Sequence, residues 1–303
     1  MEHPVKKYYA VVIGGVNMDI GGSPAGRLVM RDSNPGLVTL KPGGVGRNIA
    51  HDLRLLGLEV SLAAALGGDM YAAAIRESCA AAGLDMSMAL VLPERRSSTY
   101  LYVTDGTGDM QIGIADMDIT KCLTPAYFAP LMERINRADA VVLDANLEAE
   151  TLVFIAENCT VPLYADPVST AKAPRLLGAL KRLRAIKPNA MEAMALTGEK
   201  DPERAALALL ERGVEQVFIS LGRDGMLAAE RGCLLRLPRA EAHVVNTTGA
   251  GDAATAAIVW AGVHGMSLER AAAAALRAGA ITTECREANH PALSSLGERI
   301  EKD

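Results

Sequence analysis

Aromatic side chains are scarce in this chain: one Trp, three Phe and seven Tyr make up 4% of its 303 residues. Its core must be built mainly from Ala, Val, Leu, Ile and Met, and few rings are on offer to stack on a base. Cysteines are few and dispersed. Cys79, Cys122, Cys159, Cys233 and Cys285 are odd in number and include no C-x-x-C, which excludes the usual disulfide framework and zinc spacing. The histidines are scattered too. No apolar run is long enough to span a bilayer, and MEHPVKKYYAVVIGG carries too short an apolar stretch for a signal peptide, so a reducing cytoplasm is expected. A net charge of -5 without blocks of like charge argues against nucleic-acid and membrane partners. Familiar catalytic signatures are missing as well. There is no G-x-x-x-x-G-K-[ST] P-loop, no G-x-G-x-x-G after the first strand, no G-x-S-x-G elbow and no kinase H-R-D or D-F-G. Any phosphate chemistry must use another architecture.

What is present reads as a globular α/β chain, with 50% hydrophobic and 22% charged residues. Short apolar runs at Tyr8–Ile13, Val60–Leu66, Ala138–Leu143, Val161–Ala165, Leu183–Ile186 and Gln216–Leu221 have the length of buried strands. Helical spacing occurs over Arg47–Leu56, Tyr71–Ala82 and Leu268–Ala280, with Gly57 and Gly83 ending the first two. Strands alternating with helices predict a mostly parallel sheet covered on both faces. Two stretches break the rhythm. Gly21–Lys41 is rich in Gly, Pro and Ser, with β-like pieces at Leu28–Met30 and Leu37–Leu40, and Ser97–Ile114 alternates around the turn Asp105-Gly106-Thr107-Gly108. They could form one small antiparallel sheet beside the main body, or two unrelated surface hairpins.

Five motifs invite chemistry, and each has a plain structural alternative. In GGVNMDI, Asn17 and Asp19 alternate with apolar residues at the end of the first strand, where open α/β sheets bind ligands. An ionised Asp can accept two sugar hydroxyls, or the pair can shape an Asx-type turn. In KPGGVGRNIA, Gly43, Gly44 and Gly46 permit close backbone approach, and Asn48 can cap a helix or meet a hydroxyl. In IKPNAMEAMALTG, Asn189 and Glu192 share one helical face, suited to a helix start or to a hydrated Mg²⁺ beside phosphates. SLGRDG, Ser220–Gly225, is a hairpin turn or a ledge beneath a nucleotide. In NTTGAGD, Asp252 can sit in a first helical turn or act at the helix tip, where free N–H groups attract phosphate.

Together, and in this order, these motifs resemble the ribokinase-like (PfkB) family of carbohydrate and nucleoside kinases over nearly the whole chain. DSNPG, Asp32–Gly36, and IADMDI, Ile114–Ile119, are similar to the members acting on pseudouridine. The resemblance implies a single three-layer α/β/α domain over residues 1–303, with a small β lid from about 21–41 and 97–118. The implied reaction transfers a phosphoryl group from ATP, with Mg²⁺, to the 5′-hydroxyl of pseudouridine, with ribose or adenosine as alternative acceptors. A non-catalytic sugar- or nucleotide-binding sensor is the reading from another class. By motif, Asp252 becomes the general base, and Gly249, Ala250 and Gly251 form the anion hole. Asn17, Asp19, Gly43, Gly44 and Asn48 hold the ribose, with Ser98, Tyr100 and Asp116 toward the base. Asn189, Ser220, Gly222, Gly225, Thr247, Gly249 and Gly251 line the ATP side, and Asn189 and Glu192 organise Mg²⁺ through water. Asn246 stands where members that use a monovalent cation carry aspartate, and a neutral amide is the weaker ligand, which puts a need for K⁺ in doubt. An exposed lid sheet would also favour a homodimer that covers its apolar face.

Overall fold

Each short apolar run is long enough for one pass through a core and too short for a stable helix, so the chain must return repeatedly to the same sheet. The computed structural model describes residues 7–300; residues 1–6, where the stretch weighed for a signal peptide begins, lie outside the described residues. In chain order it contains β1 (Tyr9–Ile13), β2 (Asn17–Pro24), β3 (Gly36–Gly43), the helix α1 (Val45–Leu55), β4 (Glu59–Ala63), β5 (Ala65–Leu66), α2 (Met70–Ala81), β6 (Leu90–Val91), β7 (Thr99–Thr104) and β8 (Met110–Asp116). After several short helical turns follow β9 (Ala140–Asp144), α3 (Ala149–Asn158), β10 (Leu163–Asp166), β11 (Ala185–Ile186), α4 (Ala190–Thr197), α5 (Pro202–Glu211), β12 (Gln216–Ser220), β13 (Met226–Glu230), β14 (Cys233–Leu237), α6 (Ala250–Val263) and α7 (Leu268–Thr283).

Eight strands form the main sheet in the order β14-β13-β12-β11-β10-β9-β1-β4. The six from β4 to β12 run parallel, and β13 and β14 add an antiparallel edge. Alternation along the strands divides the core. Ala10 and Val12 of β1 face the side covered by α1, α6 and α7, whereas Val11 and Ile13 face the side covered by α3, α4 and α5. This is the three-layer α/β/α arrangement expected from the sequence. Buried alanines at positions 253, 256, 257, 271, 274, 275 and 278 let α6 and α7 pack closely, which is how so large a core manages with few aromatics.

A second sheet, in the order β3-β2-β7-β8, stands beside the first. Both irregular stretches do enter one sheet, but its central pair, β2 and β7, is parallel rather than antiparallel. Residues 28–30 form no strand; Asn34 folds that loop back instead, bonding both the N–H and the carbonyl of Val29. The sheet also begins earlier and ends later than the sequence suggests, because Asn17–Pro24 and Gly36–Gly43 pair along their full length despite their Gly and Pro. The predicted strand Val60–Leu66 divides at Ala64: β4 joins the main sheet, and β5 pairs with β6.

Candidate active site

Parallel topology brings the carboxyl ends of β1, β9, β10 and β11 to one edge, and the chain order reverses between β1 and β9. Such a switch point opens a crevice. Two buried carboxylates line it. Asp144, ending β9, accepts the Gly15 N–H at 2.8 Å and the Asn146 N–H at 2.9 Å, while burial raises its pKa. Asp166, ending β10, accepts the Thr255 hydroxyl at 2.7 Å and lies 3.5 Å from the Lys187 ammonium. Lys187 follows β11 directly and is itself buried. Burial alone would lower its pKa, but Asp166, Glu192 and Asp252 together raise it and keep it cationic.

α6 points its N-terminus into this crevice. Gly249 is its N-cap at φ 83°, and an added Cβ there would lie 2.1 Å from the Ala288 carbonyl oxygen, so only glycine fits. No side chain caps the helix. Ala250 turns its N–H back to the Thr247 carbonyl at 3.3 Å, leaving Gly251 and Asp252 as first-turn residues whose N–H groups lack an intrahelical acceptor. The Lys187 ammonium is 3.5 Å from where a Cβ on Gly251 would stand. A positive helix end and a buried ammonium thus converge on one spot, an arrangement suited to an anion.

Asp252 does not cap its own helix. Its Oδ2 accepts the Asn48 side-chain amide at 2.8 Å, across from α1. Burial, then the charge of Asp166, push its pKa up to about 7, against the lowering effects of Asn48 and Lys187. Asn48 likewise serves no cap, since α1 starts on Gly44 at φ 102° without a side-chain bond. Both residues could have been plain helix-start groups by sequence, and both are turned toward each other instead.

Asn17 and Asp19 open β2, rather than closing the first strand as the sequence suggested, because β1 already ends at Ile13. The Asn17 amide donates to Asp19 Oδ1 at 2.5 Å. Burial raises the Asp19 pKa, opposed by that bond and by the Arg47 charge. Gly43 lies opposite Asn17, and a Cβ on it would meet Asp19 Oδ2 at 2.1 Å, so this carboxylate rests directly on bare backbone. Tyr100 is the cross-strand partner of Asp19 and shares its face of the small sheet. Ser98 is buried with an unpartnered hydroxyl. Asp116 departs from expectation. Its register partner is Thr99, not Tyr100, which puts it on the opposite face from Tyr100 and Asp19, and it lies 3.6 Å from Arg96.

Asn189 and Glu192 form a reciprocal capping box on α4, each backbone N–H bonding the other side chain at 2.9 Å. Glu192 Oε1 stays outside the box. Among the described residues no group of three His, Cys, Asp or Glu gathers to hold a metal. A single carboxylate with a free oxygen is a donor that suits an Mg²⁺ ion carried mainly by water and phosphate. Ser220 pairs with Asn189 through an isolated bridge, and Gly222 and Gly225 form the turn between β12 and β13, where Gly222 faces open space and Gly225 packs on the Leu237 carbonyl. Thr247 is exposed just ahead of α6. Sequence reasoning overlooked Lys187, Asp144 and Arg47. Lys187 carried a usable signal, a cation directly after a buried strand, whereas Asp144 gains meaning only from the strands beside it.

A doubly covered parallel sheet with a carboxylate at a glycine-rich helix start and a small sheet alongside defines a phosphotransferase that acts on an alcohol group of a sugar or nucleoside. Residues 7–295 match the pfkB family of carbohydrate kinases, and the chain belongs to that family. It is 34% identical to the pseudouridine kinase of Escherichia coli strain K12 over 299 residues, 95% of each chain, and 32% identical to the uncharacterized sugar kinase YeiI of that organism, over 95% of this chain and 81% of the relative. A carbohydrate kinase from Agrobacterium tumefaciens superposes with a TM-score of 0.83 at 30% identity, covering 96% of this chain and 97% of the other. The ribokinase of Arabidopsis thaliana, solved with ribose and ATP, shares the fold at a TM-score of 0.84 and 21% identity, over 98% and 99% of the two chains.

Proposed function

We propose that this enzyme transfers the γ-phosphoryl group of ATP to the 5′-hydroxyl of pseudouridine. The observation that carries the reading is Asp252: a carboxylate unused by its own helix, held by Asn48 beside free N–H groups and the Lys187 ammonium, with a pKa near neutrality. Asp19 and Asn17 take the ribose hydroxyls, with Gly43 and Gly44 supplying bare backbone, and Tyr100 and the unpartnered Ser98 hydroxyl face the base. The small sheet closes over the acceptor as a lid. Asp252 takes the proton of the attacking hydroxyl as the phosphorus–oxygen bond forms, and the leaving ADP departs in line. The N–H groups of Gly251 and Asp252 and the Lys187 ammonium hold the charge on the transferred group. Glu192 and Asn189 would hold an Mg²⁺ ion through water, and that ion would supply further charge neutralisation. Ser220, Gly222, Gly225 and Thr247 line the nucleotide side, and the cytoplasm supplies ATP. A second reading, a kinase for another sugar or nucleoside, is favoured by the likeness to a sugar kinase at 32% identity.

An ATP-consumption panel over pseudouridine, uridine, adenosine, ribose and fructose tests both. Turnover concentrated on pseudouridine is expected. Turnover confined to ribose or fructose would remove the nucleoside assignment and keep the kinase.

A further inference from the structure

Behind the Asn48–Asp252 contact lies a buried polar cluster that the reaction itself does not touch. The Arg47 guanidinium donates from Nη1 to Asn48 Oδ1 at 3.1 Å and to Asn289 Oδ1 at 2.8 Å, and from Nη2 to the Ser78 hydroxyl at 2.8 Å. Asn289 in turn donates to the Asn48 carbonyl at 3.0 Å and to Asp52 Oδ1 at 2.8 Å. Arg47, Asn48, Asp52 and Asn289 are all buried. Burying a guanidinium and a carboxyl is unfavourable unless their geometry is well satisfied, yet Arg47 Nε and Asp52 Oδ2 have no partner. Packing alone would be better served by apolar side chains, so the cluster calls for another explanation.

That explanation is the orientation of one amide. Asn48 can place either its oxygen or its nitrogen toward Asp252. With the oxygen turned that way, carboxylate would face carbonyl, and the amide N–H₂ would face the Arg47 fork, an acceptor-less donor. Arg47 forbids that flip. We propose that Arg47, held by Asn289, is a positioning residue that locks the Asn48 amide so that its N–H₂ always meets Asp252 Oδ2, leaving Oδ1 for the acceptor hydroxyl. The inference rests on the reading of Asp252 as the base. A fixed donor stabilises the ionised carboxylate, and so offsets part of what burial does to it. The charges facing Asp252 are Asp144 and Asp166 from the strand ends, Lys187 after β11, and Asp52 from α1. Arg47 bonds the Asn48 oxygen, and the Asn48 nitrogen in turn bonds Asp252.

The test is the pH dependence of kcat/KM in Arg47→Met and Asn289→Ala, with the acceptor that the panel selects and saturating ATP, alongside thermal melting. Losing an oriented donor raises the base pKa, so the acidic limb should move up by about one pH unit, the size of one hydrogen bond to a carboxylate. Arg47→Lys, which restores a donor but not the fork, should bring the limb part of the way back. A merely structural role lowers the melting temperature and leaves the limb in place. A folded Arg47→Met enzyme with an unmoved limb overturns the proposal, and if that variant does not fold, an unmoved limb in Asn289→Ala does so. An Asp252→Asn control separates the two readings: near-normal turnover there sinks the base assignment itself, whereas lost turnover with unmoved limbs sinks the positioning role alone.

Discussion

Asp252 is available for chemistry because its own helix makes no use of it. The Gly249 start leaves α6 uncapped, and the carboxylate is satisfied from α1 instead. Replacing it with Asn should keep the fold and lower kcat by roughly 10²–10⁴-fold, the span for losing a general base, as measured by coupled ADP release. The pKa raised to about 7 also has a stability signature. Between the ordinary carboxylate range and about pH 7 the folded state holds this proton more tightly than the unfolded chain does. The corresponding stability is complete below that range and is lost as the pH rises through about 7. Asp252→Asn should therefore raise the melting temperature more at about pH 8 than at about pH 5. An equal change at both would show that the carboxyl is not strained by burial. If Asp252 is the base, as proposed, the site gives up stability for a carboxylate that titrates near neutral pH.

At the scale of elements, the α6 start depends on a close contact with the C-terminal loop. Gly249→Ala would force a Cβ toward the Ala288 carbonyl at a positive φ, and a loss of roughly 1–3 kcal/mol of stability, measured by denaturant unfolding, is expected, with kcat falling as the N–H groups shift. The turn before α6 is closed by protein groups. The Asn246 amide donates to the Arg286 carbonyl at 3.2 Å and accepts the Thr248 N–H at 3.1 Å, tying the two loops by a neutral side chain. Rates in potassium chloride and in a large organic cation should accordingly match, and strong activation by potassium would contradict this. Legibility in the sequence followed the same scale. The main strands and the long helices could be read because each apolar run or helical period is local. The small sheet was partly hidden, since Gly21, Gly22 and Pro24 look like loop residues yet pair along β2, where neighbouring strands supply the order that propensity does not. Asp252, Asn48 and Asp19 stood out through their glycine surroundings. Asp144 and Lys187 did not, because what matters about them is which strand ends lie side by side, a fact no window of sequence contains.

For the whole molecule, the uncovered face of the small sheet is the telling feature. Val38, Leu40, Leu101, Ile112 and Ile114 are exposed together, on the face opposite Asp19 and Tyr100. We propose that a second copy covers it. Light scattering should give the mass of a dimer, and Ile112→Glu combined with Leu40→Glu should give a monomer, since two charges on the patch remove its apolar contact. A monomeric parent protein would refute the arrangement.

The contact between Gly249 and Ala288, together with the bond from Asn289 to the Asn48 carbonyl, carries a consequence for biosynthesis. The proposed acceptor site begins near residue 17, and its support comes from near residue 289, so nearly all of this sequence would have to leave the ribosome before that site has its final shape. Emerging fragments that stop short of residue 288 lack both contacts, so activity is expected only once the closing loop has emerged.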